Sequence, residues 1–385
     1  MKECALFFFV LINTFYYIAS LEGLNDLESL YKTHIKSFGY QMEEHEVITE
    51  DGYILSLWHL VPNVLEPKKV VYIQHGFTCT SWAFFHLGNN SLPFLLIEEG
   101  YDVWLGNTRG TIFSLGHVSK DSNKKNGDYW DFSMDEMIYY DVPTLIDYVK
   151  KFTSVSKVDF IGHSQGTTMF FMLYRHNPSY IESSINTFIS LGTVPSITYV
   201  NFLPIKFIDL AYKAIKMSRP LTKAIQFSKI ERFVLSSFCR NIPSVCQVIF
   251  EAFCSPHPTN RVDYSKVYPF LYYYPGGCNT DSLLHWSQMH REKDLVYFNP
   301  DYDKTKESKA YDINPIKKWK IKSLIQRSDA DSFSTYEDVT NFYDTVEDKS
   351  YLLMLDTPNY GHLDELAADS AYEDVYKPII EFLKA

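Results

Sequence analysis

Apolar residues along this chain fall into two rhythms that take turns. The stretch MEEHEVITEDGYILSLWHLVP alternates apolar and polar positions on both sides of Asp51-Gly52, which predicts a hairpin with a tight turn. Two short apolar runs follow, KKVVYIQHGF and GYDVWLGNTRG, and each predicts a buried strand entering a loop. SMDEMIYYDVPTLIDYVKKF carries its apolar residues at helical spacing, with Ser133 as N-cap and Glu136 three residues on. KVDFIGHS then predicts a strand, QGTTMFFMLYRH a helix stopped by Asn177-Pro178, and INTFISLGTV a further strand. Strand and helix alternate from about 70 to 195. That rhythm predicts an α/β fold, a mostly parallel sheet with helices on both faces.

The rhythm breaks after Pro195. Residues from about 198 to 305 are rich in Lys, Pro and aromatics, with helical patterns in IKFIDLAYKAIKM and PSVCQVIFEAF. Strand patterns return in KIKSLIQRSDAD and SYLLMLD, and SAYEDVYKPIIEFLK reads as a closing helix. Two strands and a helix are too few to form a core alone. The chain is therefore expected to be one large domain with a largely helical insertion between strands six and seven: a first core part over 21–197, the insertion over 198–305 and a second core part over 306–385. A length of 385 residues suits that plan.

The first residues, MKECALFFFVLINTFYYIASLEG, place Lys2 before an apolar run and small residues Ala19 and Ser20 after it. This predicts a secretory signal peptide over 1–20. An uncleaved anchor is the alternative, but Asn13 and Thr14 interrupt the run and it is short for a span. No later stretch is long and apolar enough to cross a bilayer. Asn89-Asn90-Ser91 is an N-glycosylation acceptor sequence at Asn89. Beyond the signal peptide there are five cysteines, at 79, 239, 246, 254 and 278. No C-x-x-C occurs and no zinc site is expected at the 239–254 cluster; a bridge within that short segment is. A net charge of −11 argues against nucleic acid, which needs a basic face. Nothing in the sequence calls for a cofactor or a metal.

Within the strand-to-helix junction lies Gly162-His163-Ser164-Gln165-Gly166, which fits G-x-S-x-G. The five residues alone recur by chance, but here a strand precedes and a helix follows. A tight turn there raises the Ser164 hydroxyl at the carboxyl edge of the sheet, and Gly162 and Gly166 relieve crowding. A serine needs a base and the base an orienting acid, in the chain order Ser, Asp or Glu, His. His362 follows the last strand and is the only histidine after 290; Asp329 and Asp331 follow the strand before it. The residues by themselves leave both aspartates open as the acid. The N–H of Gln165 opens the helix beside Ser164, and the N–H of Phe77 follows His75-Gly76 after an earlier strand; together they make a candidate oxyanion hole. His75 precedes the nucleophile and is read as structural.

QHGF, GYDVWLGNTRG, SMDEM, GHSQGTT, LLHWSQ and GHLD together resemble the acid lipase family, that of gastric and lysosomal acid lipases, from about Leu30 to the C-terminus. The resemblance implies an α/β-hydrolase that cleaves triacylglycerols or sterol esters at an interface or micelle, secreted or lysosomal. It implies the triad Ser164, Asp331 and His362, makes the insertion a cap and lid over the site, and implies a disulfide between Cys246 and Cys254. The sequence departs from the family where Ser328 and Asp329 replace two glycines, and where Gly361 replaces an asparagine before the histidine. Two other functions stay open at this level: a serine hydrolase of other esters or amides, and a non-catalytic lipid-binding protein on the same fold.

Overall fold

A computed structural model describes residues 29–62, 69–200, 203–254, 261–302 and 308–385. The predicted signal peptide lies outside the described residues. The main sheet contains β1 (Met42–Ile48), β2 (Tyr53–Leu60), β3 (Val70–Gln74), β4 (Asp102–Gly106), β5 (Gly116–His117), β6 (Val158–His163) and β7 (Ile185–Leu191). A separate small ribbon joins β8 (Ala224–Ile225) to β9 (Cys278–Asn279), and the main sheet ends with β10 (Lys322–Arg327) and β11 (Leu352–Asp356). The order across the sheet is β1-β2-β4-β3-β6-β7-β10-β11, with the two-residue β5 paired to Tyr53 and Ile54 at the start of β2. The β1–β2 and β2–β4 pairs are antiparallel, and every pair from β4 to β11 is parallel.

The inner strands β2, β3, β4, β6, β7 and β10 are largely buried on both faces, and their period of two sorts side chains into two cores. Val70, Tyr72, Trp104, Phe160 and Phe188 point to one core. Val71, Ile73, Val103, Leu105, Ile161 and Ile189 point to the other. Helices Gln165–His176 and Val142–Thr153 cover the first face. Helices Leu30–Ser37, Leu92–Glu98 and Lys377–Lys384 cover the second. Ser133 and Glu136 close the expected capping box. The helix they begin widens into a π turn at Met137–Asp141, because Pro143 lacks the N–H that would bond the Tyr139 carbonyl.

Between β7 and β10, no described residue joins the main sheet. That stretch holds the helices Leu203–Ser218, Lys229–Asn241, Pro243–Cys254 and Thr280–Glu292. Its disulfide joins Cys239 to Cys246, whose Cα atoms are 4.9 Å apart. This corrects the expected Cys246–Cys254 bridge. Those two residues belong to one helix, Pro243–Cys254. A helical rise of 1.5 Å per residue separates their Cα atoms by about 12 Å, beyond disulfide reach. Cys79 and Cys278 are buried free thiols. Asn89 is exposed in a turn at Gly88–Asn90. Among the described residues, no helix is long and apolar enough to cross a membrane.

Arg109, in the loop after β4, fastens three segments at once. Its side chain is fully buried and bonds Asp141 on the covering helix through Nε (2.8 Å). Its two terminal nitrogens grip Asp51 of the hairpin turn at 2.6 and 2.9 Å, and its guanidinium lies 3.8 Å from the centre of the Tyr53 ring. Removing one partner of a buried ion pair strands the other charge, at a cost of roughly 3–5 kcal/mol. Arg109→Met, which keeps the volume, is expected to lower unfolding free energy by about that amount in urea titrations. A loss below about 1 kcal/mol would mean that Asp141 finds another partner.

Candidate active site

The site begins at the end of β6. Ser164 has φ 53° and ψ −120°, a conformation that side chains other than glycine seldom adopt. Such strain persists only where the surroundings leave no alternative. Here the helix that follows is pressed against the sheet: a Cβ on Gly166 would lie 2.4 Å from the Gln74 carbonyl oxygen, and one on Gly162 would lie 2.9 Å from the Gly166 carbonyl carbon. Only glycine fits either position. The Ser164 N–H donates to the Leu191 carbonyl on β7 (2.9 Å), which ties the turn to the neighbouring strand.

The loops after β10 and β11 bring the other expected residues to this turn. His362 Nε2 lies 2.7 Å from Ser164 Oγ, and His362 Nδ1 lies 2.7 Å from Asp331 Oδ2. Asp331 Oδ1 accepts the N–H groups of Phe333 and Ser334, each at 2.8 Å. With its carboxylate held on both sides, Asp331 places the imidazole proton on Nδ1, and Nε2 is left to accept the serine O–H. All three side chains are buried. His163 supports the arrangement from below by donating its Nε2–H to the His362 carbonyl (3.0 Å). Burial, then the nearby His362, lowers the His163 pKa to about 3 and keeps it neutral.

Asp329 is exposed and turned away from His362; its carboxylate accepts the Asn359 N–H at 2.7 Å. Ser328 donates to the Tyr360 carbonyl (2.6 Å) and accepts the Tyr360 N–H (3.1 Å). Ser328 and Asp329 thus lace the loop of the acid to the loop of the histidine. Gly361 donates its N–H to Asp364 Oδ2 (2.8 Å).

The backbone N–H groups of Phe77 and Gln165 donate to no acceptor among the described residues. Such free donors next to a serine hydroxyl are what an oxyanion requires. A cleft of ≈ 300 Å³ opens here, lined by Phe77, Ile205, Ile208, Phe227, Trp286 and Phe333, with other apolar residues. The Phe333 ring packs 5.1 Å from the His362 ring, so the cleft reaches the triad side. Trp286 donates its indole N–H to the Gln165 side chain (3.0 Å), coupling helix Thr280–Glu292 to the serine turn. The sequence reading assigned no role to Trp286 or Phe333. The signals were present: Trp286 sits in LLHWSQ, and Phe333 is two residues past Asp331. A second cavity, ≈ 480 Å³ and lined by residues such as His86, Phe270 and Leu363, includes none of the triad or oxyanion positions.

Eight principal strands in this order, with a serine at the turn after β6 and Asp and His after β10 and β11, define an α/β-hydrolase. Residues 31–88 match the family model described as a partial alpha/beta-hydrolase lipase region, and residues 69–233 match that of the alpha/beta hydrolase fold. The chain is 31% identical to human lipase member J over 369 residues, covering 91% of this chain and 98% of that protein. It is 31% identical to rat gastric triacylglycerol lipase (91% and 90% covered) and 29% identical to human lipase member K (90% and 88%). The chain belongs to the acid lipase family, the family of gastric triacylglycerol lipase. Among solved structures, an esterase from Exiguobacterium antarcticum superposes with a TM-score of 0.51 at 15% identity, over 89% of this chain and all of that one (100%).

His75, just before the Phe77 donor, is structural in its contacts. Its Nδ1 donates to the Gly76 carbonyl (2.8 Å) and its Nε2 accepts the Thr108 N–H (3.2 Å). Burial lowers its pKa to about 4, against 6.5 when unfolded. A histidine held neutral stabilises the fold above pH 6.5, and that contribution is lost as pH falls from 6.5 toward 4 because only the unfolded chain takes the proton. The slope approaches 1.4 kcal/mol per pH unit for one proton, at about 25 °C. His75→Gln is expected to flatten the decline of unfolding free energy between pH 6.5 and 4, measured by urea titration at each pH. Parallel curves for parent and variant would show that His75 takes its proton in the folded state as well.

Proposed function

We propose that this chain is a serine carboxylic-ester hydrolase of the secretory pathway that cleaves lipid esters, triacylglycerol or sterol ester, through an acyl-enzyme. The observation that carries the reading is the Ser164–His362–Asp331 line, with 2.7 Å at each step, beside two unused N–H groups and an apolar cleft. Ser164 Oγ attacks the ester carbonyl while His362 Nε2 takes its proton. Asp331 stabilises the imidazolium that forms. The N–H groups of Phe77 and Gln165 hold the oxyanion, and the N-terminus of helix Gln165–His176 adds its dipole. His362 returns the proton to the departing alcohol, leaving the acyl group on Ser164. Water then attacks that ester, again losing a proton to His362, and the fatty acid leaves as Ser164 regains its hydrogen.

The alcohol released in the first step is a partial glyceride or a sterol. The cleft is at the small end for a ligand site, which suits one acyl limb rather than the whole lipid. Residues 198–305 act as the cap and lid in this reading, because Ile205, Ile208, Phe227 and Trp286 supply much of the apolar wall. The predicted signal peptide, the exposed Asn89 acceptor and the Cys239–Cys246 bridge support passage through an oxidising compartment, with glycosylation at Asn89 and a secreted or lysosomal destination.

Purified protein assayed on triolein, cholesteryl oleate and a short-chain ester between pH 4 and 8 tests the activity. Ser164→Ala is expected to abolish hydrolysis and labelling by a fluorophosphonate. Asp331→Asn leaves the imidazole in the wrong tautomer and is expected to lose roughly four orders of magnitude in turnover, while Asp329→Asn stays within a few-fold of the parent. Persistent labelling of the Ser164 variant, or the reverse order of the two aspartates, would overturn the assignment. A folded parent inactive on all three esters but binding them would favour the lipid-carrier reading.

Ile208→Trp fills the cleft without touching the triad. It is expected to lower kcat/KM for the oleoyl ester at least about tenfold relative to a butyryl ester, since a few displaced methylenes are worth about 1–3 kcal/mol. An unchanged ratio would place the acyl chain elsewhere.

A further inference from the structure

The β1–β2 hairpin carries a cluster that the hydrolase chemistry does not use. Glu43 on β1 pairs directly with His59 on β2, and His45 stands two residues along β1 on the same face. His59 in turn pairs with Trp104 on β4 and stacks on its ring, with centroids 3.8 Å apart. The two imidazoles are oriented from behind. His59 Nε2 lies 2.8 Å from Asp102 Oδ1, and His45 Nδ1 lies 3.0 Å from the Tyr148 hydroxyl. The carboxylate can only accept, so the neutral imidazole of His59 holds its proton on Nε2 and has a lone pair on Nδ1. The Tyr148 hydroxyl can accept a proton from His45 Nδ1, and in that tautomer His45 Nε2 also carries a lone pair.

Those two atoms, His59 Nδ1 and His45 Nε2, are withheld from solvent and have no hydrogen-bond partner. Each lies 3.6 Å from Glu43 Oε2, too far for a hydrogen bond. The three atoms fall within 4.8 Å of one another. In those tautomers two lone pairs and a carboxylate oxygen face one point, the donor arrangement that a cation takes. Four ligands placed tetrahedrally at about 2.1 Å from an ion stand about 3.4 Å apart, close to the two 3.6 Å spacings seen here.

We propose that Glu43, His45 and His59 form a structural zinc site. Two imidazoles and a carboxylate are a zinc donor set, whereas calcium and magnesium take oxygen ligands. A ligating histidine whose other N–H goes to a carboxylate is the usual outer support of such a site, and the His59–Asp102 contact supplies it. The Glu43 side chain is 58% exposed, which leaves a fourth position open to water or to its second carboxylate oxygen. Phe152 and Tyr148, from the helix packed above, close the remaining side around His45. The site is remote from the ester chemistry. Asp102 begins β4 at the amino edge of the parallel strands, and Ser164 follows β6 at the carboxyl edge. The ion would pin the edge strand β1 to β2, and through Asp102 to β4.

The test uses the whole protein, stripped with EDTA and dialysed against Zn²⁺ alone. One zinc per chain is expected by elemental analysis. Glu43→Gln and His45→Gln are each expected to weaken zinc binding at least about tenfold, and Tyr148→Phe to weaken it about tenfold through the outer support. EDTA should lower the Tm of the parent but not that of His45→Gln, and should leave ester turnover at temperatures below melting unchanged. Co²⁺ in place of zinc should give the parent the visible absorption of a four-coordinate ion, a readout that needs no variant to fold. Zinc bound equally by parent and His45→Gln, no stoichiometric zinc on the parent, or a parent without that absorption would each overturn the site.

Discussion

The turn at Ser164 is the constraint on which the rest of the molecule depends. A non-glycine residue held at φ 53° costs free energy, and it stays there because the helix behind it has no room to move. The gap between Gly166 and the Gln74 carbonyl admits no Cβ, so β3, β6 and the helix Gln165–His176 are locked at one spacing. That spacing also sets the distance between the Phe77 and Gln165 N–H groups, since one follows β3 and the other opens the helix. The parallel order β3-β6-β7-β10-β11 then delivers the two later loops to the same edge. Strand pairing, rather than any local preference of the loops, brings His362 within 2.7 Å of the serine.

The loops themselves are stiffened by contacts between them. Ser328 and Asp329 both hydrogen-bond the backbone at residues 359 and 360. Asp331 keeps two backbone N–H donors on Oδ1 and one imidazole on Oδ2, so both of its oxygens are held. On the other side of the serine, the Trp286–Gln165 hydrogen bond couples the residues inserted after β7 to the turn itself. A change in the packing of that inserted segment therefore reaches the oxyanion position through one side chain.

What the sequence determined by itself was whatever depends on windows of a few residues. The period-two and period-3.6 patterns marked the strands and helices of the main sheet. The capping box at Ser133, the hairpin around Asp51-Gly52 and the strand–turn–helix around Ser164 are likewise local, because caps, tight turns and elbow strain are settled by neighbours in the chain. The order Ser164, then an acid, then His362 was legible for the same reason, each residue being read from the end of its own strand.

Only the tertiary structure decided how distant segments meet. Asp329 and Asp331 differ by two positions in one loop, and which of them faces His362 depends on how that loop lies against residues 359–362. Cys246 bonds Cys239 because a helix end brings the two Cα atoms to 4.9 Å, while the expected partner Cys254 lies two turns along the same helix. Trp286 and Phe333 become walls of one cleft although 47 positions separate their numbers (333 − 286). His45, His59 and Glu43 look unrelated in the chain and converge only when β1 pairs with β2 in one register and Trp104 fills the floor beneath. A one-residue slip of β1 against β2 would turn Glu43 and His45 to the face opposite His59. Such meetings are set by register and helix packing over the whole core, which no short window of sequence contains.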